Sequence, residues 1–95
     1  MQVDVARVGG ITPWLKVAHM AESFNVKVCP HFLMEIHVSL AAAVPNGLYV
    51  EHIPQLRGVT KSEIKIEKGM ALAPTSVGLG IDWDFDAIDN KRVKI

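Results

Sequence analysis

The sequence predicts an α/β protein with a parallel sheet, followed by a β-hairpin and a tail. Three observations carry that expectation. β-prone stretches fall at residues 2–8, 26–30 and 48–53, helical spacing fills the two gaps between them, and an alternating run surrounds Lys68-Gly69. Parallel neighbours need crossover connections and helices are the usual ones, so strand, helix, strand, helix, strand is the order such a sheet requires.

Each element has its own signal. At residues 2–8, Val3, Val5 and Val8 sit among polar residues, and Gly9-Gly10 stops the run as a turn would. Thr12 offers a hydroxyl cap and Pro13 suits a first helical position. Trp14, Val17, Ala18, Ala21 and Phe24 then recur at helical spacing, with Trp14 as the expected anchor and Lys16, His19, Glu22 and Ser23 on the wet side. Asn25 is a left-handed stop ahead of the second strand. Residues 32–44 are apolar almost all round, interrupted by Glu35, His37 and Ser39, and a helix of that kind expects cover on several sides. Pro45-Asn46-Gly47 ends it before the third strand.

Beyond a boundary near residues 56–60 the character changes. Residues 62–74 alternate around Lys68-Gly69, which predicts a hairpin with Ile64 and Ile66 facing Met70 and Leu72. Gly78-Leu79-Gly80 makes a bend, and residues 82–88 suggest a closing helical turn in which Trp83 docks the tail. Two units follow: residues 1–57, the strand-helix part, and residues 58–95, the hairpin and tail.

Composition narrows the function classes. With 49% apolar and 21% charged residues the chain wants a core and is not a disordered tail. A chain of this size buries roughly 60 to 65 per cent of the surface it exposes when unfolded, so modest stability is expected. Ten basic residues balance ten acidic ones and are scattered, which disfavours nucleic acid and anionic membranes as partners. Cys29 is the single cysteine, so an internal disulfide and a thiol-rich metal site are both excluded; a reducing cytoplasm fits best. The first seven residues lack signal-peptide character and no apolar run is long enough for a membrane span, so a cytoplasmic location is expected.

Three short motifs stand in register: Asp4 with Arg7-Val8-Gly9-Gly10-Ile11-Thr12, Pro30-His31 with Phe32 and Glu35, and Tyr49-Val50-Glu51. Together they resemble the mandelate racemase and muconate lactonizing enzyme family of the enolase superfamily. Asp4 with Arg7-Val8-Gly9-Gly10-Ile11-Thr12 is similar to the end of that family's sixth barrel strand. Pro30-His31, followed by Phe32 and then Glu35, is similar to the end of the seventh, and Tyr49-Val50-Glu51 to the eighth. Their separations agree with the family pattern, and Gly78-Leu79-Gly80-Ile81 is similar to its tail. The resemblance implies the C-terminal portion of a (β/α)8 TIM-type barrel, strands six to eight with two helices, then a hairpin and tail that would pack on a capping domain. It also implies Mg²⁺ held by acidic residues on the third to fifth strands and a Lys base on the second, which this chain would lack. A base working beside Mg²⁺ that stabilises an ene-diolate is the chemistry it brings with it. Among relatives, talarate/galactarate-type acid-sugar dehydratases look closest, with a mandelate-type racemase next.

The resemblance casts His31, Asp4 and Glu51 as site residues. Taking a proton from the carbon next to a carboxylate requires a base of suitable pKa, and imidazole lies nearest neutrality. His31 is the candidate base. Asp4, bonded to the other ring nitrogen, would fix the tautomer and favour the imidazolium, with an Asp4 to His31 separation of roughly 2.7 to 3.2 Å expected. Glu51 would hydrogen-bond the substrate carboxylate, which requires a proton on one of the two groups. Plainer roles stay open: Asp4 could cap the turn before Gly9, and Glu51 could be an exposed strand carboxylate. His19, His37 and His52 read as structural or surface residues, Glu35 as a family residue that could satisfy backbone donors, and Cys29 as buried packing.

No metal ligand is expected within the chain, and alone it is expected to be catalytically silent. A barrel of this type takes about 250 residues, so strands six to eight would leave two sheet edges bare and an apolar helix uncovered. Self-association, or complementation by the missing barrel half, is therefore expected, with a sugar acid or 2-hydroxy acid carboxylate as the substrate of the whole enzyme. The alternative is a small oligomeric, non-catalytic module derived from such an enzyme.

Overall fold

A computed structural model describes residues 1–94; Ile95, the last residue of the expected tail, lies outside them. Among the described residues the regular elements are helix α1 (Ile11–Ser23), helix α2 (Met34–Ala43), a 3₁₀ turn (Arg57–Val59), strands β1 (Ile66–Glu67) and β2 (Met70–Ala71), and helix α3 (Phe85–Asn90). None of these helices is long and apolar enough to cross a membrane.

Gly10, at φ 120°, makes the entry to α1, a conformation that side-chain-bearing residues rarely take. This overturns the expected Thr12 cap: the helix starts at Ile11, before Thr12, and no side chain caps it. Trp14, Ala18 and Ala21 form its buried stripe, and the Trp14 indole Nε1–H donates to the Val3 carbonyl at 3.1 Å. At the other end Asn25 takes φ 55°, while Val26 N–H reaches Ala21 O and Asn25 N–H reaches Glu22 O, both at 2.8 Å. That pair of bonds is a Schellman ending, as the sequence predicts.

α2 is shorter than expected, because Phe32 and Leu33 both take positive φ, 66° and 30°, and hold off its start. It buries Met34, Val38 and Leu40 together with two polar side chains, Glu35 and His37.

The three strands expected at residues 2–8, 26–30 and 48–53 are not regular strands. Three short extended segments run side by side instead. Cys29 N–H donates to Met1 O at 2.9 Å and His31 N–H to Val3 O at 3.2 Å, while Val28 N–H reaches Asn46 O at 2.9 Å and Leu48 N–H reaches Val28 O at 3.1 Å. The bridge between Val28 and Gly47 is parallel, so the expected order and direction hold over a few residues only. The first segment ends at Asp4, where a turn begins, and Ile53 N–H folds back onto Glu51 O. Each ladder is thus cut by a local bond made at its end. Gly47 is obligatory at the third crossing, since a Cβ there would sit 2.1 Å from the Ala41 carbonyl oxygen.

The hairpin is present with a different register. Lys68 and Gly69 make a two-residue loop at φ 50° and 75°, the positive pair that type I′ turns require. Ile66 pairs with Ala71 and Glu67 with Met70. A two-residue loop pairs the residues that flank it, so Met70 lies across from Glu67 and not on the isoleucine face. The tail returns to residues 59–61 through backbone bonds: Asp84 N–H to Val59 O at 2.9 Å and Lys61 N–H to Asp82 O at 2.8 Å. Trp83 docks there by its backbone, bridging Thr60, while its side chain stays exposed. Asp84 caps α3 by accepting from Ala87 N–H at 3.0 Å.

The core consists of Val3, Val5, Trp14, Ala18, Ala21, Val28, Leu40 and Val44. It lies between α1, α2 and the first two extended segments, and it sits directly behind Asp4 and His31.

Candidate active site

Asp4 is buried at the end of the first segment and His31 follows the second, 38% exposed at its side chain. The bond from His31 N–H to Val3 O ties these ends together one residue before Asp4. Their side chains meet: His31 Nδ1 lies 3.3 Å from Asp4 Oδ2, slightly longer than expected. Asp4 also performs its plainer role, since Oδ1 accepts from Ala6 N–H at 2.9 Å. The exposed Arg7 guanidinium stands 3.5 Å from Oδ2.

Burial pushes the Asp4 carboxyl up, but the Ala6 amide, the His31 ring and the Arg7 amide together outweigh it and hold its pKa below the usual value. An ionised carboxylate can only accept, so the His31 proton belongs on Nδ1. Nε2 is then left with a free lone pair on a ring partly open to solvent. The ring stacks on Phe32 at 5.8 Å between centroids and 20° between planes.

Glu51 arrives from the third segment. Its Oε2 accepts from Phe32 N–H at 2.9 Å, so it is neither remote from His31 nor a free strand carboxylate. Phe32 is also held from the other side, where its carbonyl lies 2.6 Å from His37 Nδ1. The second His37 nitrogen, Nε2, accepts from Val5 N–H at 2.9 Å. Sequence reasoning left His37 as a structural or surface residue without a partner; the available signal was an imidazole inside a largely apolar helix. Glu35 is buried and its Oε1 accepts from Leu56 N–H at 2.9 Å, which satisfies a backbone donor. His19 and His52 are exposed and take no part, and Cys29 is half-buried, less enclosed than expected.

The arrangement brings together an imidazole, a buried carboxylate bonded to it and a second carboxylate on the next residue's amide, all near the ends of side-by-side extended segments. That is where an α/β barrel carries its chemistry. The sequence profile of the enolase C-terminal domain-like family matches residues 1–87, and the chain belongs to that family. L-talarate/galactarate dehydratase of Salmonella typhimurium is 36% identical over 80 residues, covering 84% of this chain and 20% of that enzyme. The structure of L-talarate dehydratase from Polaromonas sp. JS666, complexed with Mg and L-glucarate, superposes with TM-score 0.86 at 43% identity, over 93% of this chain and 25% of that one. A mandelate racemase/muconate lactonizing enzyme from the same organism gives TM-score 0.83 at 44% identity, over 90% and 24%. This chain therefore spans between a fifth and a quarter of the length of these relatives.

Among the described residues, the carboxylates of this site are not free to take a magnesium ion. Among those described, no group of three or more His, Cys, Asp or Glu side chains comes together to hold a metal. Asp4 is committed to Ala6 and His31, and Glu51 to the Phe32 amide.

Proposed function

We propose that this chain supplies the His-Asp part of an acid-sugar dehydratase active site, in which His31 removes the proton α to a carboxylate. The observation that carries the reading is the 3.3 Å contact between His31 Nδ1 and Asp4 Oδ2. The proton enters at Nε2 while Nδ1–H stays on Asp4, and the buried carboxylate favours the imidazolium so formed. Glu51 faces the substrate carboxylate, with the Phe32 amide fixing one of its oxygens. The substrate class is an aldaric acid, as the talarate and galactarate names of the relatives suggest.

Magnesium, present with L-glucarate in the Polaromonas enzyme, belongs in this reading to residues outside the chain. Residues 1–57 are the end of the barrel, strands six to eight, and residues 58–95 the part that packs on a capping domain, in a cytoplasmic enzyme. The test is complementation. Alone with Mg²⁺ and galactarate or talarate the chain gives no turnover; mixed with the remaining portion of the Salmonella enzyme it restores dehydration. His31→Ala then lowers the rate by about 10²- to 10⁴-fold. Turnover by the chain alone, or complemented turnover indifferent to His31→Ala, refutes the proposal.

A second reading, an oligomeric module without turnover, draws on exposed apolar side chains such as Phe24, Tyr49 and Phe85. Sedimentation over a concentration series separates the two: a stable homo-oligomer that does not take up the missing barrel half favours the module.

A further inference from the structure

His37 has no part in the chemistry proposed above, yet it is one of the most enclosed side chains of the chain, at 0% exposure. Its two ring nitrogens are both engaged, and with opposite polarity. Nε2 lies 2.9 Å from Val5 N–H, which can only donate, and Nδ1 lies 2.6 Å from the Phe32 carbonyl, which can only accept. One form satisfies both contacts: the neutral ring with its proton on Nδ1. Trp14, also fully buried, packs against the ring at 6.2 Å between centroids and holds it in place.

The two groups it joins are not arbitrary. Val5 N–H belongs to the peptide that follows Asp4, and Phe32 directly follows His31. Phe32 takes φ 66°, a left-handed conformation that is strained for a non-glycine residue, and both of its backbone polar groups are clasped by side chains. Glu51 accepts its N–H and His37 takes its carbonyl. We infer that His37 is a positioning residue, a clamp from α2 that joins the backbone just past Asp4 to the backbone just past His31 and so sets the contact between them. A group that bridges both members is needed because the ladder beneath them is sparse, with His31 N–H to Val3 O at 3.2 Å as its last rung.

Two substitutions open one jaw each. His37→Asn keeps a donor where Nδ1 stands and loses the acceptor for Val5. His37→Gln keeps an acceptor where Nε2 stands and loses the donor to Phe32. The readout is the ¹⁵N spectrum of the ring nitrogens in the 95-residue chain, which needs no turnover and is thus independent of the dehydratase reading. In the unsubstituted chain His31 is expected as the Nδ1–H tautomer, held by Asp4. Both variants lose that preference and revert toward the Nε2–H form that a free side chain favours, while the Trp14 indole N–H resonance reports the intact core. Persistence of the Nδ1–H form of His31 in both folded variants overturns the clamp. Should neither variant fold, the unsubstituted chain still decides: His37 must itself appear neutral and protonated on Nδ1, and a signal from its Nε2–H tautomer or from the imidazolium overturns the inference.

Discussion

Every buried side chain among the described residues falls between residues 3 and 46; from residue 47 to residue 94 none is buried. The first region has Trp14 in one core with Ala18 and Ala21 of α1, Leu40 of α2, Val44 just beyond it, and valines of two extended segments. The second is held by hydrogen bonds, backbone to backbone at residues 59–61 and 82–84, and by the Glu35 carboxylate on Leu56 N–H. The contrast teaches where a site can be built. A close pair such as Asp4 and His31 needs its groups held to within fractions of an ångström, and close packing around it provides that where exposed hydrogen bonds do not.

The buried polar side chains sharpen the point. Asp4, Glu35, His37 and Asn46 all lie in the first region, and each serves backbone groups: Ala6 N–H, Leu56 N–H, the Val5 and Phe32 pair, and the Ala18 and Val26 carbonyls, respectively. Three of the four reach a segment at least 20 residues from their own. They replace the ladder bonds that the short extended segments do not make.

The largest effect expected from this contrast is at Trp14. Trp14→Ala empties the centre of the core and should lower stability by ~3–5 kcal/mol in urea unfolding, a large part of what a small domain possesses. Phe85→Ala, an aromatic of the second region that is mostly exposed, should change it by no more than about 0.5 kcal/mol. Comparable losses at the two sites would break the contrast. Next comes the junction between the regions. Gly47→Ala drives a methyl group against the Ala41 carbonyl, 2.1 Å from the ideal Cβ position, and backbone cannot yield as a side-chain tip can. A loss of about 1–3 kcal/mol is expected, seen as an earlier urea midpoint at unchanged slope.

Those elements whose causes are local were legible in the sequence. α1 ends at Asn25 because one residue in a left-handed conformation satisfies the last carbonyls. Its buried stripe was readable from spacing in part, since Trp14, Ala18 and Ala21 are buried while Phe24, picked out by the same spacing, is exposed. The hairpin turn was readable as well, although its register was not, since alternation fixes which residues share a face only once the loop length is known. The strands failed because ladders are long-range: nothing near Asp4 or Glu51 announces that a side chain will take the next backbone donor and end the run. The Asp4 and His31 contact was anticipated through family resemblance and the rule that barrel chemistry sits at strand ends. The structural reading of His37 holds, but its two bonds were not legible, because both partners are backbone groups, which leave no mark in a sequence.

Acid should distinguish the regions a third way. Asp4 has a folded pKa below its unfolded one, so between those values the unfolded chain binds more protons and stability rises with pH. Its contribution is fully present above the unfolded value of about 4 and is lost as pH falls through the lower folded value. Asp4→Asn removes that dependence, so its stability against pH is flatter below about pH 4 and lower at neutrality. Phe85→Ala in the second region, which removes no titrating group, leaves the acid limb as it was.

The smallest expected effect is a test of whether hydrogen bonds in the second region act together. Arg57 and Glu63 form an ion pair there with both side chains about half exposed or more, and it joins the 3₁₀ turn to the approach of the hairpin. Water screens such a pair and two long side chains must be ordered to make it, so a double-mutant cycle should return a coupling of about 0.2–1 kcal/mol. In about 1 M salt, where the Debye length falls to roughly 3 Å, it should fade. A coupling above about 2 kcal/mol that survives salt would mean that residues 57–63 are ordered as tightly as the core. The second region would then be a cooperative unit without a buried side chain, and packing would no longer explain why the Asp4 and His31 pair lies in the first.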